Sequence, residues 1–141
     1  MPRTLVTRKL PSSVLARLGA VSEIDLYAGS AAISREELLT RVAGVDAIVC
    51  LLTDTIDSTV LDAAGPRLKI VANVAVGFNN IDVPACRARG IAVSNTPDVL
   101  TNACADFTWA LILAITRRLG EGERVVPVSY THLTLPTIYS V

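Results

Sequence analysis

Short apolar runs alternate with helix-forming segments along most of this chain, and that succession restricts its fold more than any other feature. Leu5-Val6-Thr7, Ile24-Asp25-Leu26-Tyr27, residues 46–51, residues 68–72 and Ile91-Ala92-Val93 read as strands. The run Ala47-Ile48-Val49-Cys50-Leu51 has no polar alternation, which is expected of a strand covered on both faces. Helical signals separate the strands. Residues 11–18 are stopped by Gly19, and residues 57–64 by Gly65-Pro66. Ser34-Arg35-Glu36-Glu37 reads as a capping box, with Ser34 accepting from the Glu37 amide and Glu37 reaching back, ahead of a helix that buries Leu38, Leu39 and Val42. Residues 81–89 form a further helix, with Asn80 as its cap and Pro84 tolerated in its first turn.

Strand and helix in this order predict an α/β fold, a flavodoxin-like doubly wound parallel sheet of about five strands. Residues 99–123 then read as one long helix. Leu100, Ala103, Cys104, Phe107, Ala110, Leu111, Ala114 and Ile115 recur at steps of three and four, and Trp109, Ile112 and Leu113 carry the apolar surface most of the way round. Such a helix needs cover from more than one direction, so a second domain or subunit is expected, and alone the chain is expected to associate.

Several partner classes are disfavoured. Thirteen Lys and Arg balance 13 Asp and Glu, and a nucleic-acid partner would leave a basic excess. The longest apolar run, residues 107–115, falls short of the roughly 20 residues a membrane span needs, and no secretory signal opens the sequence. Cys50, Cys86 and Cys104 are odd in number and form no Cys-x-x-Cys, so a disulfide frame or a zinc site is not expected, and buried reduced thiols suit a cytoplasmic protein. A phosphoacceptor receiver would need acidic groups where Thr7-Arg8 and Cys50-Leu51 stand.

Small anionic ligands bind at the carboxyl ends of the strands in open α/β sheets. Two turns at such ends stand out. In Val74-Ala75-Val76-Gly77, Gly77 allows close backbone approach or a positive φ. The amides of Val76 and Gly77 could then meet a carboxylate, helped by the helix start at Asn80-Ile81; the same residues also read as an ordinary strand-to-helix turn. In Asn95-Thr96-Pro97-Asp98, Pro97 restricts Thr96 and Asp98 can start the long helix. Arg87 and Arg89 end a helix, where basic residues suit the dipole, and are not catalytic candidates.

The strings Asn73-Val74-Ala75-Val76-Gly77-Phe78-Asn79-Asn80-Ile81-Asp82 and Gly90-Ile91-Ala92-Val93-Ser94-Asn95-Thr96-Pro97-Asp98-Val99-Leu100-Thr101, followed by the aliphatic helix, closely resemble the D-2-hydroxyacid dehydrogenase family, its glyoxylate/hydroxypyruvate reductase branch in particular. The resemblance covers residues 1 to 126. It implies an oxidoreductase moving a hydride between NAD or NADP and a small 2-oxo acid, acting as a homodimer. It implies that Val76 and Gly77 bind the substrate carboxylate, that Leu51 and Leu52 wall the pocket (Leu51 reads equally as core), and that Cys104 stands where a threonine commonly touches the cofactor. A thiol is a weaker hydrogen-bonding group than that hydroxyl. By the same resemblance residues 1–98 are a substrate-binding domain and residues 99–126 an interdomain helix.

No Gly-x-Gly-x-x-Gly occurs, and the family's catalytic arginine, acid and histidine belong further along than this chain reaches. The chain itself is therefore expected to lack catalysis. The alternative is a non-catalytic flavodoxin-like module that binds a small acid or regulates. Residues 127–141 change character: no helical period continues, and residues 128–137 match one reading frame of a transposase-derived sequencing adapter. This tail is expected to be non-native, the other reading being a β-rich extension. His132, the one histidine, is therefore not cast as a base.

Overall fold

The computed structural model describes residues 1–125. The tail at residues 127–141, with His132, lies outside the described residues. Two compact units divide the chain, Met1–Val99 and the part from Leu100 on.

The first unit is a five-stranded, all-parallel sheet in the order β2-β1-β3-β4-β5. Its strands are β1 (Arg3–Val6), β2 (Glu23–Leu26), β3 (Ala47–Cys50), β4 (Ile70–Asn73) and β5 (Ala92–Ser94). Helices α1 (Ser12–Gly19), α2 (Arg35–Arg41), α3 (Ser58–Ala64) and α4 (Val83–Ala88) connect them. This is the flavodoxin-like winding expected from the alternation. β3 holds the middle position, which explains its unbroken apolar sequence. Leu5, Ile48 and Val71 on the three inner strands are fully buried, and Val42, Val45, Ile56, Val60, Leu61 and Cys86 close over them. Leu39, expected in this core, packs against it only partly.

The caps are set by single side chains. Ser34 accepts from the Glu37 amide at 3.2 Å. The reciprocal half of the expected capping box is replaced: the Glu37 carboxylate takes Arg41, one turn on, at 2.9 Å. The long, charged Arg41 offers it a stronger partner than a backbone amide. α4 also departs from expectation. It begins at Val83, not Ile81, and its cap is Asp82, whose carboxylate accepts from the Ala85 amide at 2.9 Å. Asn80 is used elsewhere.

Asp57 caps α3 through the Val60 amide and receives Arg35 Nη2 on both oxygens, at 2.8 and 2.7 Å. Hydrogen bonding from Arg35 is the main cause holding the Asp57 carboxyl below its ordinary value. A group whose folded pKa is depressed adds stability above its unfolded pKa and loses it as pH falls through the folded one. Asp57→Asn keeps the capping oxygen but removes the charge. Near neutral pH it is expected to cost about 0.5–1 kcal/mol, the scale of an exposed pair. The wild-type advantage should shrink below about pH 4, which thermal unfolding at stepped pH would follow.

In the second unit the single helix expected over residues 99–123 is two: α5 (Thr101–Thr116) and α6 (Leu119–Val125). Arg118 takes φ 53 and ends the first. A left-handed residue just past a helix stops propagation, and Gly120 and Gly122 follow in a weak helix former's sequence. Asp98 does not start α5 either. It has φ 61, and Leu100 holds the cap position with no side-chain hydrogen bond. α5 buries no residue, and Phe107, Trp109, Leu111, Ile112, Leu113 and Ile115 are exposed. No described helix is long and apolar enough to cross a membrane.

Candidate functional site

The loops that leave β3, β4 and β5 at their carboxyl ends are tied together by asparagine side chains. Asn73, the last residue of β4, is buried. Its Nδ2 donates to the Gly77 carbonyl at 2.8 Å and to Asn80 Oδ1 at 3.0 Å. Asn80 Nδ2 in turn donates to the Leu51 and Asp54 carbonyls, both at 3.0 Å, binding the β4 loop to the β3 loop. From β5, Asn95 Nδ2 donates to the Val76 carbonyl at 2.8 Å, and the Thr96 amide donates to the Ala75 carbonyl at 2.9 Å. Three successive carbonyls of Ala75-Val76-Gly77 are thus occupied.

The amides of Val76 and Gly77 are not. Neither has an acceptor among the described residues. Backbone N–H groups without partners are strong donors, and successive ones in a turn form a concavity suited to an anion. Gly77 is not in the positive-φ region, so of the two roles open to it in the sequence only close approach remains. A Cβ built on it would meet Leu52 Cδ2 at 3.7 Å, an ordinary contact. The helix contribution expected behind this loop is missing. α4 is only six residues long and Asp82, a carboxylate, already takes its first free amide.

The β3 side is built around Asp54, which is 3% exposed. Its Oδ2 accepts from the Leu51 amide at 2.9 Å and from Thr7 Oγ1 at 2.5 Å, linking the ends of β1 and β3. The Leu51 amide and carbonyl are both engaged, and its side chain is half-buried. It is the exposed Leu52 whose side chain reaches Gly77. Beside the loop lies an open groove of about 160 Å³ lined by Phe78, Val83, Val93, Ser94 and Asn95. A larger concavity of about 430 Å³, lined in part by Leu61, Gly65, Arg89 and Ile91, sits toward the amino ends of β4 and β5. Arg89 there is paired with Asp62, so it offers no open charge.

Cys50 and Cys86 are buried, but Cys104 is exposed on α5, against the expectation that all three thiols are buried. A helix with no buried face leaves its cysteine in solvent. Burial, with the nearby Asp54 charge second, pushes the Cys50 thiol up to about 12, and burial also raises Cys86. Neither is a nucleophile at neutral pH. No metal-holding cluster of acidic, histidine or cysteine residues occurs among the described residues.

Val76 and Gly77, the expected candidate donors, lie together on this loop, whereas Asn73, Asn80, Asn95 and Asp54 were not expected as groups that build it. A signal was present for one of them: Asn73 closes an apolar strand, and a polar side chain buried there has to find hydrogen-bond partners close by.

Known proteins share this arrangement of strands and turns. The sequence model of the D-isomer specific 2-hydroxyacid dehydrogenase catalytic domain matches residues 4–140. A glyoxylate reductase of Thermococcus onnurineus is 49% identical over 125 residues, 89% of this chain and 37% of that protein. One from Thermococcus kodakarensis is 50% identical over 122 residues, 86% of this chain and 36% of its own length. The chain thus spans little more than a third of these relatives. Among solved structures, the TT0316 protein of Thermus thermophilus superposes with a TM-score of 0.79 at 39% identity, over 96% of this chain and 43% of that one. A 2-hydroxyacid dehydrogenase from Ketogulonicigenium vulgare gives 0.71 at 31% identity, over 86% and 38%. With the family match running through both polar turns and the sheet that carries them, the chain belongs to the D-isomer specific 2-hydroxyacid dehydrogenase family.

Proposed function

We propose that this chain is the substrate-binding part of an NAD(P)-dependent 2-hydroxyacid dehydrogenase that reduces a small 2-oxo acid, glyoxylate or hydroxypyruvate. The observation that carries the reading is the pair of open amides at Val76 and Gly77, beside carbonyls that are all engaged. A carboxylate accepting from both would be held by charge-assisted hydrogen bonds. Leu51 and Leu52 are proposed to wall the pocket, favouring a small substituent on the acid. The nicotinamide, when bound, supplies the hydride. With no dinucleotide fingerprint in the chain, these residues do not hold its phosphates. Cys104 is the one position here proposed to face it. The whole protein is proposed to be a cytoplasmic homodimer, and residues 1–98, 99–126 and 127–141 to be substrate domain, interdomain segment and non-native tail.

Two measurements test this. Titrating the 15N-labelled chain with oxamate, a stable mimic of a 2-oxo acid, is expected to shift the Val76 and Gly77 amide resonances saturably. The same chain mixed with glyoxylate and NADH or NADPH is expected to consume no reduced nicotinamide. Unmoved amides would refute the binding site. Measurable turnover would refute the division of labour between this chain and the rest of the enzyme.

A further inference from the structure

Asn95 stands at the end of β5, in a turn that the substrate reading leaves without a role. The peptide bond between Val76 and Gly77 is planar and trans, so its C=O and N–H point in opposite directions. Whatever holds the Val76 carbonyl therefore also aims the Gly77 amide. That carbonyl accepts from Asn95 Nδ2 at 2.8 Å. The preceding peptide obeys the same rule. The Ala75 carbonyl accepts from the Thr96 amide at 2.9 Å, which aims the Val76 N–H. Both candidate ligand-binding amides are thus oriented by two consecutive residues, Asn95 and Thr96, on a different strand's exit.

We propose that Asn95 is a positioning residue for anion binding: by holding the Val76 carbonyl it fixes the Gly77 N–H toward the ligand, and Thr96 does the same for Val76 through its backbone. The inference rests on the carboxylate-binding reading of this loop. The loop has few other restraints. Asn73 holds the next carbonyl, at Gly77, and so governs the Phe78 amide instead. Val76 is exposed and Gly77 has no side chain, so packing does not fix their shared peptide. Without a donor on its oxygen, that peptide can rotate and present a carbonyl dipole where the ligand needs an N–H. The side chain must donate. An aspartate at position 95 would set a carboxylate against the Val76 carbonyl and add a negative charge beside the bound anion.

The test uses the whole chain, with oxamate as probe and the Val76 and Gly77 amide resonances as readout. Asn95→Ala is expected to weaken binding about tenfold, equivalent to ~1.4 kcal/mol. Asn95→Asp should weaken it further, and Asn95→Gln, which keeps the amide donor, should restore part of the loss. In the free protein Asn95→Ala should already move the Gly77 resonance, since the hydrogen bond on its peptide is gone. Val60→Ala serves as a control: it loosens the core beneath α3 and is expected to lower the unfolding temperature without changing oxamate affinity. Equal affinity in wild type and Asn95→Ala overturns the positioning role while leaving the binding site intact. No binding by wild type overturns both. A loss in Asn95→Ala matched by an equal loss in Val60→Ala also overturns it, because general loosening would then account for the effect.

Discussion

Gly77→Val is expected to abolish detectable carboxylate binding while leaving the fold in place. The two halves of that result have separate causes. Gly77 does not use a positive φ, so a residue with a side chain can adopt its backbone conformation. The new Cβ would sit 3.7 Å from Leu52 Cδ2, and the side chain it meets is exposed and free to turn aside. Thermal unfolding should therefore change by only a few degrees, in line with a surface substitution worth about 0.5 kcal/mol or less. The ligand has no such freedom. Two methyl groups beyond the Cβ would fill the approach to the Gly77 and Val76 amides. Losing one charge-assisted hydrogen bond costs about 1.5–3 kcal/mol, which is roughly 10- to 100-fold in affinity, and valine would obstruct two. Gly77→Ala should fall between. Calorimetric titration with oxamate beside a melting curve would read both halves; a valine variant that binds as wild type would place the ligand elsewhere.

Ile48→Ala is expected to be the most damaging single truncation in the first unit. Ile48 is fully buried on β3, the middle strand, between Leu5 on β1 and Val71 on β4. Removing its outer carbons leaves a cavity that a strand paired on both sides cannot collapse to fill. Ile-to-Ala changes at such sites cost about 2–5 kcal/mol. For a unit of this size that lowers the unfolding temperature by roughly 10 °C or more. Val14→Ala on α1, where the side chain is 45% exposed, should by contrast change stability by about 0.5 kcal/mol or less. Denaturant melts of the two variants, read against wild type, give the comparison; similar midpoints would mean that β3 is not the centre of the core.

The family resemblance implied that Leu51 and Leu52 both line the pocket; in the structure the Leu51 side chain is half-buried and the exposed Leu52 is the one that meets Gly77. No periodicity fixes which way a side chain faces once the strand has ended. The misplaced cap of α4 has a similar origin. Asn80 and Asp82 both suit an N-cap, and the choice between them was made by Asn80's other bonds, to Leu51 and Asp54 at the exit of β3 and to Asn73 at the end of β4. The expected single helix over residues 99–123 carries Leu119 one step of four beyond Ile115, while its break depends on one backbone angle at Arg118.

The sequence by itself determined the class of fold, and it pointed to the candidate binding end. Buried strands and capped helices are written in local patterns of two and 3.6 residues, and strands alternating with helices predict a parallel, doubly wound sheet; the order β2-β1-β3-β4-β5 belongs to the tertiary structure. It also marked Val76 and Gly77, since a glycine-bearing turn after an apolar strand is a local signal. Tertiary structure alone decided which way their amides are held. That orientation comes from Asn95 and Thr96, some 19 residues downstream of Val76 at the exit of β5, while Asn80 ties the same loop to the exit of β3. A hydrogen bond between strand exits depends on sheet order and register, and those exist only once the core has packed.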